Sequence, residues 1–291
     1  MKTILYATDY SKNSVAALKY AHKMSEQLET RLVIAHVFDY PTILGMEGVD
    51  QPFPHLEKDA FKLHRSKLEK FCAAHMGNAW EAPNIQLEAV KNKTVLKGII
   101  ATADEWYAYL IIVGVKGESG LRESIMGSTT KHLIEKAPCP ILAIPADASY
   151  NPIKTIVYGT DFENEDIYAL RKLVEMSKHF DAEIKVVHST TKKELDKANQ
   201  MEGFKNMLLQ KVKYDRMEFV HLVSENIFDA LRMYLVEVGA DMVVLLEREM
   251  VGVFKKWFHR DLVKKMESYG NIPLLSFRGS NHQIFYFKRA L

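Results

Sequence analysis

Residues 3–39 read TILYATDYSKNSVAALKYAHKMSEQLETRLVIAHVFD, and residues 155–191 read TIVYGTDFENEDIYALRKLVEMSKHFDAEIKVVHSTT. The two stretches align without a gap at a constant offset of 152 residues. Thr3, Ile4, Tyr6, Thr8, Asp9, Ala17, Leu18, Met24, Ser25 and His36 face Thr155, Ile156, Tyr158, Thr160, Asp161, Ala169, Leu170, Met176, Ser177 and His188. Self-similarity at a fixed spacing is the mark of a repeated structural unit. The chain therefore reads as a duplicated domain. One copy covers residues 1–146, a second covers 152–278, the polar stretch ADASYN joins them, and a tail follows at 279–291.

Each copy alternates between two periodicities. In the first, a β-rich run from Thr3 to Thr8 precedes a helical pattern in which Val15, Leu18, Ala21 and Met24 fall three apart, and a second strand runs from Arg31 to Phe38. A long helix over about 56–76 follows, then a strand over 85–90, a helix from Val95 to about Tyr107, an apolar strand Leu110–Val115, a helix after Gly127 and a strand Ile141–Pro145. The second copy places strands near 155–160, 183–189, 217–223, 242–247 and 273–277. Strands separated by helices are the sequence form of βαβ crossovers, and near-continuous apolar runs suit strands covered on both faces. The predicted fold class is α/β: two doubly wound parallel-sheet domains in tandem.

Composition agrees and narrows the function. A length of 291 residues suits two domains, with 47% hydrophobic and 26% charged residues. Thirty-nine Lys and Arg against 37 Asp and Glu leave +2 with no long block of either sign, which argues against a nucleic-acid partner. The 2 cysteines, Cys72 and Cys139, form no CxxC pair and are expected to be inert buried thiols. Polar Thr8, Asp9 and Ser11 interrupt the opening apolar stretch, and no apolar run approaches the ~20 residues of a bilayer span. The expectation is a soluble, cytoplasmic protein with no membrane partner.

One segment carries chemistry. The strand LIIV runs into GVKGESGLRESIMGST, where Gly114 and Gly117 are followed by Gly127, Ser128 and Thr129 at the start of the helical pattern KHLIEKA. Glycines permit close backbone approach, and the free amides and dipole of a helix N-terminus attract phosphate. Ser128 or Thr129 can cap that helix or donate a hydroxyl to a phosphate oxygen. A Walker A loop would need Lys after Gly127, and a dinucleotide fingerprint would need glycines where Ala7, Thr8 and Asp9 stand. A surface loop that binds nothing is the bland alternative, and Asp9 has its own, capping of the following helix.

The spacing G-x2-G-x9-G-[ST] after the fourth strand resembles the ATP-binding signature of the universal stress protein family. ILYATDYS, with Asp9 at the end of the first strand, and AHV in the second strand add to the resemblance. It implies an adenine-nucleotide alpha-hydrolase-like, Rossmann-like fold. It also implies that Asp9, with the backbone of Ala7 and Val37, meets the adenosine end of ATP, with Thr8 in the same set. Val113, Gly114, Gly117, Gly127, Ser128 and Thr129 would cradle ribose and phosphates, accompanied by Mg²⁺ or Mn²⁺ and no protein metal ligand. Lys116 adds positive charge by its position in the loop. AMP or ADP would suit the same pocket. Three functions follow: a nucleotide-dependent stress-response regulator, a slow ATPase or autokinase for which no positioned general base or other catalytic residue is found, and a tandem scaffold that binds no nucleotide. The resemblance further implies an intramolecular pseudo-dimer through Ile141–Ile144 and Leu274–Phe277, with a homodimer left open.

The second copy departs from the pattern. Leu246 and Glu249 stand at the positions of Gly114 and Gly117, and His259 and Arg260 at those of Gly127 and Ser128. Side chains there fill the space that phosphate needs, so the second copy is expected to have lost ATP binding. Asp161 is then a helix-capping remnant, and Trp257 and Phe258 are candidates to plug the pocket. His36 and His188 are expected to be structural, since no triad accompanies either. The tail residues Ile284–Phe287 are apolar enough to pack on the body or across an interface.

Overall fold

The computed structural model describes residues 1–39, 54–115, 127–191, 198–247 and 271–279. The first half runs β1 (Thr3–Ala7), α1 (Lys12–Gln27), β2 (Arg31–Phe38), α2 (Pro54–Met76), β3 (Ile85–Lys91), α3 (Val95–Glu105), β4 (Ala108–Val115), α4 (Ser128–Lys136) and β5 (Ile141–Pro145). The second runs β6 (Thr155–Gly159), α5 (Asn164–Phe180), β7 (Glu183–Thr190), α6 (Ala198–Lys211), β8 (Met217–Val223), α7 (Ile227–Glu237), β9 (Met242–Glu247) and β10 (Leu274–Arg278).

All ten strands join one sheet in the order β3-β2-β1-β4-β5-β10-β9-β6-β7-β8. Every neighbouring pair is parallel except the central one, where Leu274, Leu275 and Ser276 of β10 run antiparallel to Ala143, Leu142 and Ile141 of β5. Counted outward from that seam, both halves repeat one topology. Parallel strands need helical crossovers, which cover both faces and explain why β4 and β5 are apolar almost throughout.

Side chains alternate between the two faces of each strand. On one face Ile4 and Tyr6 of β1 meet Ala17, Leu18, Ala21 and Met24 of α1, spaced as a helical stripe. The same core includes Leu142 and Ile144 of β5 together with Leu275 and Phe277 of β10. On the other face Leu5, Ile111 and Val113 pack with Leu133 and Ile134 of α4, and this core also crosses the seam through Leu245 and Leu274. Two small differences from the sequence reading have local causes. Thr8 lies past the end of β1 because its hydroxyl turns inward to Ser14 Oγ at 3.0 Å. α3 stops at Glu105 because Tyr107 takes a left-handed φ of 47°.

Candidate functional site

Open parallel sheets offer ligand space at the carboxyl ends of their strands. There, Ala7 of β1 is in register with Val113 of β4 and with Ala35 of β2, two residues before Val37. After Ala7 the chain makes a tight polar turn. The Tyr10 amide donates to Thr8 Oγ1 at 3.0 Å, and the Ser11 amide donates to Asp9 Oδ1 at 2.9 Å. Tyr10 holds a left-handed φ of 63°, which leaves the Asp9 side chain exposed at the rim. Asp9 lies ahead of the helix, whose N-cap is Ser11.

The two glycines of the signature that are described have different physical reasons. A Cβ built on Gly114 would lie 2.5 Å from the Asn13 carbonyl oxygen and 3.0 Å from Ser14 Cα. The missing side chain is what allows the first turn of α1 to rest on the end of β4. At Gly127 a Cβ would meet nothing within 4 Å among the described residues, and its φ of −59° and ψ of 152° are open to any residue. Gly127 is the N-cap of α4, with no side-chain cap bond, so the first amides of the helix stay free of a protein acceptor of that kind. Ser128 is exposed and Thr129 half-buried beside them. The structure thus sets Ala7, Thr8, Asp9, Val37, Val113 and Gly114 at the ends of β1, β2 and β4, and Gly127, Ser128 and Thr129 at the start of α4. Lys116 and Gly117 lie outside the described residues. Sequence reasoning missed Gly98, whose Cβ would come within 2.5 Å of Val37 Cγ1. That glycine lets α3 close under Val37, and a lone Gly inside a helical pattern was its only signal.

Behind the rim, His36 accepts a fixed place. Its Nδ1 lies 2.8 Å from the Thr8 carbonyl oxygen, and because a carbonyl only accepts, Nδ1 carries the proton. His188 repeats the contact with Thr160 at 2.7 Å in the second half, so the contact belongs to the shared turn of both halves. Burial lowers the His36 pKa below the usual histidine value, against the backbone bond to Thr8 and the nearby Asp9 carboxylate, which both raise it. Cys72 and Cys139 are buried free thiols, pushed up to about 12 by that burial. Among the described residues no three His, Cys, Asp or Glu side chains gather as a metal site.

The second half keeps the turn and changes its surroundings. Phe162 repeats the left-handed φ of 63° seen at Tyr10. Asp166 takes the place of Ser14, fully buried, and accepts from Tyr158 Oη at 2.7 Å, Thr160 Oγ1 at 2.9 Å and the Glu163 amide at 3.0 Å. The N-cap of α5 is Glu163, which forms a capping box with Asp166, so the capping role expected of Asp161 falls two residues later. The cause is the left-handed Phe162, which sets Glu163 as the last extended residue before the helix. At the end of β9, Leu246 is wholly buried in the core where its counterpart Gly114 meets the turn of α1. Glu249, Trp257, Phe258, His259 and Arg260, and the tail residues Ile284–Phe287, lie outside the described residues.

No helix among the described residues is long and apolar enough to cross a membrane. The model of the universal stress protein family matches residues 1–145, ending on the last residue of β5. A universal stress protein of Methanocaldococcus jannaschii is 25% identical over 156 residues, which span 49% of this chain and 94% of that protein. One from Bacillus subtilis is 28% identical over 152 residues, 48% of this chain and 97% of its own. Among solved structures, a universal stress protein from Archaeoglobus fulgidus matches 95% of this chain and 98% of its own with a TM-score of 0.70 at 15% identity. Another, described as a putative universal stress protein from Pseudomonas aeruginosa, covers 100% of this chain at a TM-score of 0.62 and 12% identity. Both extend the likeness of fold across the two halves. Through residues 1–145, the chain belongs to the universal stress protein family.

Proposed function

We propose that the first half binds ATP, or AMP or ADP in the same place, and that the chain acts as a nucleotide-dependent regulator of a stress response. The observation that carries this reading is Gly127: an exposed N-cap with no side chain of its own to cap the helix, and with nothing among the described residues within 4 Å of where a Cβ would stand. Protein packing asks for no glycine there, whereas a phosphate approaching helix amides does. Ser128 and Thr129 offer hydroxyls beside those amides, Asp9 stands exposed in its turn for the adenosine end, and Mg²⁺ or Mn²⁺ would travel on the phosphates. Bound ATP would supply negative charge at the head of α4, and the chain's own contribution is to cradle and neutralise it. Gly117 and Lys116 belong to the same proposal.

Two further elements complete the reading. The antiparallel β5·β10 seam suggests that the halves, 1–146 and 152–278, act toward each other as the subunits of a dimer within one chain. Two free thiols and a nucleotide ligand suit the reducing cytoplasm. The test is to purify the chain without added nucleotide, denature it and identify any released adenine nucleotide by chromatography. Close to one nucleotide per chain is expected, lost in Gly127→Val and Asp9→Ala. For chain stripped of nucleotide, MgATP at about 100 times its Kd should stabilise by about 2.7 kcal/mol, and Gly127→Val should lose that gain while melting unchanged alone. No nucleotide and no stabilisation would leave the scaffold reading.

A further inference from the structure

A column of rings joins α2 to the sheet in the first half. Tyr10 stacks on His36 with centroids 4.1 Å apart, His36 on His64 at 5.4 Å and 17°, and His64 on Phe38 at 4.0 Å and 10°. Phe61 and Phe71 close its sides from α2, at 5.1 Å from Phe38 and 5.4 Å from Tyr10. Elsewhere α2 buries only Leu68 and Cys72 among the described residues, and Arg65 Nη1 ties it to β3 by donating to the Leu87 carbonyl at 2.6 Å. By contrast α1 buries seven. Two of the rings that dock α2 are imidazoles, which unlike the phenyl and phenol rings can take up a proton. In the second half Phe204 of α6 lies against Phe162 at 5.3 Å as Phe71 lies against Tyr10, and the ring that stacks on His188, at 5.9 Å, is His221 of β8 and not a residue of the helix.

We propose that His36 and His64 form a proton-operated latch, which docks α2 on the ends of β1 and β2 while both rings are neutral and releases it when one is protonated. The hydrogen bonding sets the direction. His64 Nδ1 is buried with no hydrogen-bond partner among the described residues, so a charged ring, which must donate from both nitrogens, strands an N–H there. His36 already donates from Nδ1 to Thr8, and a charge on either ring faces the other across the stack.

The surrounding charges add to this. Lys67 on α2 opposes a charge on both rings, and the Asp9 carboxylate after β1 favours one on His36. From β3, His36 faces uncharged Ala89, and Lys91 is engaged with Glu57 of α2 at 3.7 Å. The buried face of α1 holds no charged side chain, Tyr10 and Cys72 stay neutral through burial, and His75 lies against Phe71. Burial lowers both histidines, so the docked state holds fully above the free value of about 6.5 and weakens as pH falls below it.

The two thiols report on this, because Cys72 lies on the buried face of α2 and Cys139 in the core on the other face of the sheet. The nucleotide-free chain is labelled with 4,4′-dithiodipyridine at about pH 7.5 and about pH 5.5. Each thiol is followed by peptide mass, and rates are normalised to unfolded chain at the same pH, since acid alone slows thiol chemistry. The protection of Cys72 is expected to fall by up to about ten-fold on acidification, the most that one histidine can contribute about one pH unit below its free value of about 6.5, while that of Cys139 holds. His64→Phe keeps a ring, leaves only His36 to take a proton and should clearly reduce the change. Equal protection at both pH values, parallel loss at both cysteines, or a wild-type response in His64→Phe would overturn the latch. In the unaltered chain, histidine Cε1 resonances give a second reading: coupled titration of His36 and His64 below about 6.5 supports it, and independent titration at the free value refutes it. No nucleotide enters, so failure here is separate from failure of the ATP reading.

Discussion

Gly114 and Gly127 show how one motif can combine two unrelated demands. A methyl group at Gly114 would press on the backbone of Asn13, which has no freedom to step aside, whereas one at Gly127 meets nothing within 4 Å among the described residues. Gly114→Ala is expected to lose about 1–3 kcal/mol in chemical denaturation, the usual range for overpacking, and Gly127→Ala less than about 0.5 kcal/mol. If both variants unfold at the wild-type midpoint, the contact between α1 and β4 does not require glycine. The spacing of these glycines was legible in the sequence, and so was their placement after a buried strand. The reason for Gly114 was not, because Asn13 lies a hundred residues away in the chain and only folding brings them together. Gly98 was hidden in the same way: its constraint is the side chain of Val37 on another element.

At the scale of elements, the strands were legible to within about a residue or two because their apolar runs are bounded by turns, while caps were not. Asp161 and Glu163 are both acidic residues ahead of α5, and nothing local says which will serve. The left-handed Phe162 decides, leaving Glu163 to accept from the helix while Asp166 reaches back to its amide. Glu163→Ala should therefore cost about 1 kcal/mol, read as a lowered denaturation midpoint with an unchanged slope. A cost near zero would mean that the buried Asp166 alone holds the start of α5. The repeat of this turn in both halves, with Tyr10 and Phe162 at the same φ, marks it as a part of the fold itself. What differs is the end of the fourth strand in each half, Gly114 against Leu246, and the sequence alignment exposed that directly.

At the scale of the molecule, the duplication in sequence does not produce two separable cores. Both hydrophobic layers run through the seam, joining Leu142 and Ile144 to Leu275 and Phe277 on one face and Ile141 and Ala143 to Leu245 and Leu274 on the other. Calorimetry should accordingly show one unfolding transition whose van't Hoff and calorimetric enthalpies agree, and two resolved peaks would contradict a shared core. The seam has a second consequence. Because β5 and β10 run antiparallel, the strands of the two halves point their carboxyl ends toward opposite edges of the slab. A small molecule that docks at such ends reaches one half from above and the other from below, so the two mouths never open onto the same side. Leu246 occupies the core where its counterpart Gly114 meets the turn of α1, so the two edges are not equivalent; on the proposed reading the molecule would be polar and monovalent, with a nucleotide at one edge and none at the other.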